Sequence, residues 1–164
     1  MREILPQPLT AEAFAPFGDV IEASDRAERI PINYGHTERF NDLAGIDVAE
    51  GGGHAIVSLF RGRPLTPPLL KIFERHPLGS QAFAPLQGQP YLVAVAPPGA
   101  FDPATVQVFR AEAHQGVNYR KGVWHHFLLA LAAGGDFLVI DRAGPGDNLD
   151  EIELSEADQI LVHL

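Results

Sequence analysis

The sequence contains no cysteine. This excludes a disulfide framework, a thiolate metal centre and a cysteine nucleophile. Basic residues are scarce: 12 Lys and Arg stand against 21 Asp and Glu, a formal net charge of −9. Proteins that track nucleic-acid phosphates need a basic face, and no Lys/Arg cluster here extends beyond Arg120-Lys121. Nucleic acid is therefore not an expected partner. A small anionic substrate stays admissible, because one or two pocket cations can bind it against the overall field. No apolar run is long enough to span a bilayer, and the opening Met1-Arg2-Glu3-Ile4-Leu5-Pro6 lacks the apolar stretch of a signal peptide. The expectation is a cytoplasmic protein with no membrane partner.

The chain is rich in short apolar segments separated by turn residues. They are Ala55–Phe60, Leu70–Phe73, Tyr91–Ala96, Thr105–Phe109, Trp124–Leu131, Phe137–Ile140 and Ile160–His163. Gly51-Gly52-Gly53, Pro67-Pro68, Pro97-Pro98-Gly99 and Gly144-Pro145-Gly146 punctuate them. Many short β-type runs with Gly/Pro punctuation favour a sandwich or barrel over βαβ units. Helix is confined to a short turn over Ala11–Phe14, with Thr10 as N-cap, and a second turn at Ser155–Asp158. With no repeat, low-complexity tract or linker, residues 1–164 are expected to form one mainly antiparallel all-β domain.

Two segments carry most of the chemistry. The first runs from Glu74 to Gly88. Residues two apart on a strand share a face, so Glu74 and His76 project together and Arg75 projects away. A carboxylate beside an imidazole can hold a divalent ion or pass a proton; the plainer alternative is a solvated strand end. The second segment runs from His114 to His126. Adjacent strand residues face opposite ways, so only one of His125 and His126 can join Glu74 and His76. On a regular strand Trp124 and His126 share one face while His125, Phe127 and Leu129 share the other, and periodicity does not choose between them. A packed, hydrogen-bonded histidine is the commoner fate for either. His36, His54 and His163 are expected at the surface. Asp141-Arg142 is expected to be a structural ion pair rather than a substrate contact. No Gly-x-Ser-x-Gly elbow is present, and no glycine cluster is followed by the Lys-Ser/Thr of a phosphate loop.

The spacing Glu74-x-His76, four residues to Gln81 and six more to Gly88 resembles the first motif of the cupin superfamily. Arg120-Lys121-Gly122-Val123-Trp124-His125 resembles the second, and that alignment makes His125 the inward histidine. Glu74 stands where cupins carry histidine, Gln81 where they carry glutamate, and Arg120 where they carry proline. Longer strings are more specific. Leu9 to Glu22, Glu74 to Pro85, Gln115 to Tyr119, Val123 to His126 and Asp136 to Arg142 resemble the ureidoglycolate lyase family, in order, over nearly the whole chain. The resemblance implies a cupin-type β-barrel or jelly roll that splits (S)-ureidoglycolate into glyoxylate and urea. It also implies a homodimer acting in allantoin and purine breakdown, stimulated by a divalent metal, nickel above all. Carried onto this chain, it makes Glu74, His76 and His125 the catalytic candidates. Glu74, His76, Gln81 and His125 become the metal donors, and Gln81, Lys121, Arg75 and Arg142 the substrate-binding candidates. The alternatives are a ureidoglycolate amidohydrolase releasing ammonia and a non-catalytic cupin that binds a small acid.

Overall fold

A computed structural model describes residues 1–164. In chain order its strands are β1 (Arg2–Ile4), β2 (Gln7–Pro8), β3 (Gly18–Ile21), β4 (Glu28–Ile32), β5 (Thr37–Asn41), β6 (His54–Gly62), β7 (Leu69–Leu70), β8 (Ile72–Arg75) and β9 (Gln81–Pro85). They continue as β10 (Tyr91–Ala96), β11 (Gln107–Ala111), β12 (Gly116–Tyr119), β13 (Trp124–His125), β14 (Leu129–Ala130), β15 (Gly135–Ala143), β16 (Asp150–Glu153) and β17 (Ile160–Val162). The one α-helix, α1 (Ala11–Phe14), is capped by the Thr10 hydroxyl, which accepts from the Ala13 amide at 3.2 Å. No helix is long and apolar enough to cross a membrane.

Two large sheets face each other. One has the order β16-β8-β13-β10-β11-β2, with β14 also on β10; the other runs β3-β12-β9-β15-β6. Pairing is antiparallel apart from β1–β17 and β2–β11. The architecture is an all-β, cupin-like sandwich. Strand alternation sends Tyr91, Val93 and Val95 of β10 into a core between the sheets, with Phe83, Phe109, Val117, Tyr119, Phe137 and Val139. Leu92, Ala94 and Ala96 point the other way, into a second core closed by β7, β17 and the segment around Leu154. Every residue of β10 is therefore buried, which explains why it reads as a continuous apolar run rather than an alternating one.

The expected strand Trp124–Leu131 is interrupted. Val95 pairs with His125, and the His126 amide donates to the Ala94 carbonyl. Further along, Leu92 pairs with Leu129. Phe127 and Leu128 thus both lie opposite Val93, the two-against-one arrangement of a β-bulge. Leu129 consequently joins Trp124 in the second core instead of sharing a face with His125. A one-residue insertion flips every later side chain. The turn expected at Ser155–Asp158 is present but does not extend into helix. The β4–β5 hairpin was not among the apolar runs, because Glu28-Arg29-Ile30-Pro31-Ile32 and its partner strand are largely polar and exposed.

Candidate active site and metal centre

Register brings the first residues together. Glu74 of β8 pairs with His125 of β13, and His76 follows one residue after β8. Gly122, at φ +80°, makes the turn that returns the chain to β13, and its amide donates to the His76 carbonyl at 3.0 Å. The segment after His76 must also pass close to β15. A Cβ at Gly79 would lie 2.8 Å from the Arg142 Cβ, so glycine permits the approach. Ligand atoms of Glu74, His76 and His125 lie within 4.8 Å of one another. The His76 and His125 rings are 5.1 Å apart, and Tyr119 stacks flat on His125 at 4.3 Å with an interplanar angle of 2°.

The hydrogen bonds run on from His76. Its Nδ1 lies 2.8 Å from the Asn148 carbonyl oxygen, and its Nε2 lies 3.2 Å from Gln81 Oε1. The Gln81 amide nitrogen donates to Asp141 Oδ2 at 3.1 Å. Asn148 also accepts the Leu78 amide through its side-chain oxygen at 2.8 Å, fixing the segment that carries His76. Two buried atoms here have no hydrogen-bond partner: His125 Nε2 and Asp141 Oδ1. Gln87 Oε1 and Asn118 Oδ1 share that condition elsewhere, so these two are singled out by lying with the Glu74, His76 and Gln81 cluster.

Electrostatics separate the members. Burial, followed by the neighbouring His76, pushes His125 down to about 3, so its ring is neutral at physiological pH. Its 3.8 Å approach to Glu74 is therefore not an ion pair. Burial raises Glu74; His76 opposes the shift and Glu151, opposite it on β16, adds to it. The Tyr119 phenol is raised by burial and by the charge on Glu74. It stays protonated and is a donor.

The three cations named from the sequence are committed elsewhere. Arg75 lies on the far side of β8, ion-paired with Asp150 at 2.8 Å and stacked 4.5 Å from the Trp124 ring. Lys121 pairs with Glu50 and, at 3.2 Å, with Asp47. Arg142 is buried and donates to the Glu50 carbonyl at 2.8 Å and to that of Pro145. Lys121 and Arg142 thereby tie down the loop between β5 and β6. The expected Asp141–Arg142 ion pair does not form, because successive residues of β15 face opposite sides. Asp141 continues the inward row of Phe137 and Val139. That alternation was the signal for Asp141, and the same rule applied to Val117 would have pointed to Tyr119. His126 lies in the second core, edge-on to Phe73 at 5.7 Å. It lines a cleft of about 300 Å³ with Leu65, Pro67, Ile72 and Phe127. His36, His54 and His163 are exposed.

The donor set suits a divalent ion of intermediate softness. Imidazole and carboxylate converge, a buried imidazole nitrogen lacks a partner, and no thiol is present. Glu74, His76 and His125 can hold such an ion, with Gln81 Oε1 beside them.

The ureidoglycolate lyase family model matches residues 1–162. A ureidoglycolate lyase of Burkholderia mallei (strain NCTC 10229) is 55% identical over 158 residues, 96% of this chain and 92% of its own length. One from Burkholderia cepacia is 57% identical over 148 residues, 89% and 83% of the respective chains. One from Pseudomonas putida (strain W619) is 49% identical over 165 residues, 99% and 98%. With the model matched almost from end to end, the chain belongs to the ureidoglycolate lyase family.

Proposed function

We propose that residues 1–164 form one catalytic domain, a carbon–nitrogen lyase that cleaves (S)-ureidoglycolate to glyoxylate and urea. Family membership supports the reaction, and the convergence of Glu74, His76 and His125 within 4.8 Å is the observation that carries the site. The substrate carbon bears a hydroxyl, a carboxylate and the ureido nitrogen. Elimination removes the hydroxyl proton and forms the carbonyl of glyoxylate as the carbon–nitrogen bond breaks. The electron pair leaves on nitrogen, which takes up a proton to give urea. Glu74 is the base, since burial raises its proton affinity while part of its side chain stays open. His125, neutral and depressed to about 3, is a poor proton carrier and serves as ligand or orienting group. Tyr119 supplies a protonated hydroxyl toward the departing nitrogen or the developing carbonyl oxygen. Held by His76 and His125 with Gln81, and leaving Glu74 free as the base, a divalent ion, nickel by family resemblance, would polarise the substrate oxygens as a Lewis acid.

The same family reading puts the reaction in allantoin and purine breakdown in the cytoplasm, carried out by a homodimer. Edge strand β6 supports the dimer: Val57 and Leu59 are 65% and 63% exposed on it. Incubation with (S)-ureidoglycolate, with and without chelator, tests the activity. Urea and glyoxylate in equal amounts are expected, falling when metal is stripped; ammonia in place of urea would assign an amidohydrolase.

A further inference from the structure

The contact between His76 and Gln81 has an unusual composition. His76 Nδ1 faces the Asn148 carbonyl at 2.8 Å, and a carbonyl offers only lone pairs, so Nδ1 carries the proton. In the neutral ring Nε2 then also presents a lone pair. It faces Gln81 Oε1, another acceptor, at 3.2 Å. Two lone pairs at this distance repel unless a cation or proton lies between them. Turning the Gln81 amide over would remove the repulsion, because its N–H would donate to Nε2.

Asp141 prevents that turn. Its Oδ2 accepts from Gln81 Nε2 at 3.1 Å, and a turned amide would set the carbonyl oxygen of Gln81 against a carboxylate. A charge-assisted hydrogen bond is roughly twice as strong as a neutral one, so the carboxylate decides the orientation. Asp141 takes part in no salt bridge, and its Oδ1 is buried without a partner. With the His76 ring neutral, two acceptors are left face to face, an arrangement that is intelligible when the oriented amide has a use.

We infer that Asp141 is a positioning residue: it holds the Gln81 amide with its oxygen toward His76, which stops Gln81 from capping His76 Nε2 and keeps that nitrogen open to a cation. The inference rests on the metal-assisted reading of the site and adds to it the device that keeps the donor set receptive. Asp141 acts through Gln81. Removing it should let Gln81 turn, so that the site closes itself with an internal hydrogen bond.

The test uses metal-free protein, ¹⁵N-labelled at histidine, at a pH where the spectrum itself shows the His76 ring neutral. The unaltered protein is expected to show His76 protonated at Nδ1, with Nε2 bare and accepting no hydrogen bond. In Asp141→Leu the Nε2 resonance should move in the direction of a hydrogen-bonded nitrogen. Titration calorimetry with Ni²⁺ alone should show affinity falling roughly 10–100-fold, the usual effect of losing an outer partner of a ligand. In a Gln81→Ala background, which has no amide to turn, adding Asp141→Leu should leave Ni²⁺ affinity unchanged. A merely structural Asp141, or one acting only through its charge, would lower affinity there as well. A hydrogen-bonded Nε2 in the unaltered protein overturns the inference. So does Ni²⁺ binding that survives Asp141→Leu alone, or that falls further when Asp141→Leu is added to Gln81→Ala. If Asp141→Leu does not fold, the spectrum of the unaltered protein decides. A protein that makes no urea yet shows the bare Nε2 would count against the lyase reading and leave the role of Asp141 standing.

Discussion

Replacing Glu74 by Gln keeps the side-chain shape and removes the basic oxygen, and turnover is expected to fall roughly 10²–10⁴-fold. A steady-state assay on a variant with unchanged circular dichroism checks this; near-normal kcat would take Glu74 out of the base role. The adjacent histidines make a sharper comparison. His125 lies among Glu74, His76 and Tyr119, while His126 packs on Phe73 in the other core. His125→Ala should abolish most turnover in a folded protein. His126→Ala should act through stability, costing on the order of 1–3 kcal/mol, with kcat little changed in the fraction that folds. The reverse pattern would place the chemistry on the wrong side of β13.

At the scale of the element, the bulge after His125 makes a prediction that residue-by-residue reasoning would miss. Phe127 and Leu128 share one partner on β10, and Phe127 is 46% exposed. Deleting Phe127 converts the bulge to a regular ladder in which Leu92 still meets Leu129. The deletion variant is expected to fold with both cores intact. Inserting one residue between Val123 and Trp124 should instead turn Trp124 and His125 over and unfold the region. The single tryptophan reports the difference: its emission should persist in the deletion and shift to the red in the insertion. How far such features can be read in advance depends on whether local pattern or long-range pairing sets them. The bounds of β10 and the Thr10 cap were legible, because a buried apolar run and a hydroxyl before a helical turn are local signals. The break within Trp124–Leu131 was not, since a bulge is defined by the partner strand. The role of Asp141 was obscured by its neighbour Arg142; charge proximity in the chain suggested a pair that strand alternation forbids.

For the whole molecule, the two buried histidines set an acid limit. Above about 6.5 both folded and unfolded chains hold neutral rings, so neither histidine adds pH dependence. Below it the unfolded chain takes up protons, while the folded chain refuses them until about 4 for His126 and about 3 for His125. The unfolded state binds more protons in that window, so stability must fall as pH falls through it. The denaturant midpoint of chelator-treated protein is expected to be lower at about pH 4.5 than at about pH 7.5. An equal or higher midpoint in acid would mean that the rings are not neutral in the fold. The edge of the second sheet bears on the proposed assembly. Light scattering is expected to show a dimer for the unaltered chain and a monomer for Leu59→Lys, which places a charge near the centre of β6. A monomeric unaltered chain would overturn the proposed dimer.

Strand β10 has both faces buried and a ladder on each side, to β11 and to β13 and β14. Its amides can meet solvent only when the sandwich itself comes apart, whereas those of the exposed β4–β5 hairpin need no such event. In heavy water the hairpin should exchange early and Tyr91–Ala96 last of all. Val95 is the partner of His125, so the histidine of the site is anchored to the slowest clock in the molecule. Local breathing elsewhere should leave the geometry around His125 intact, and loss of that geometry should coincide in time with global opening.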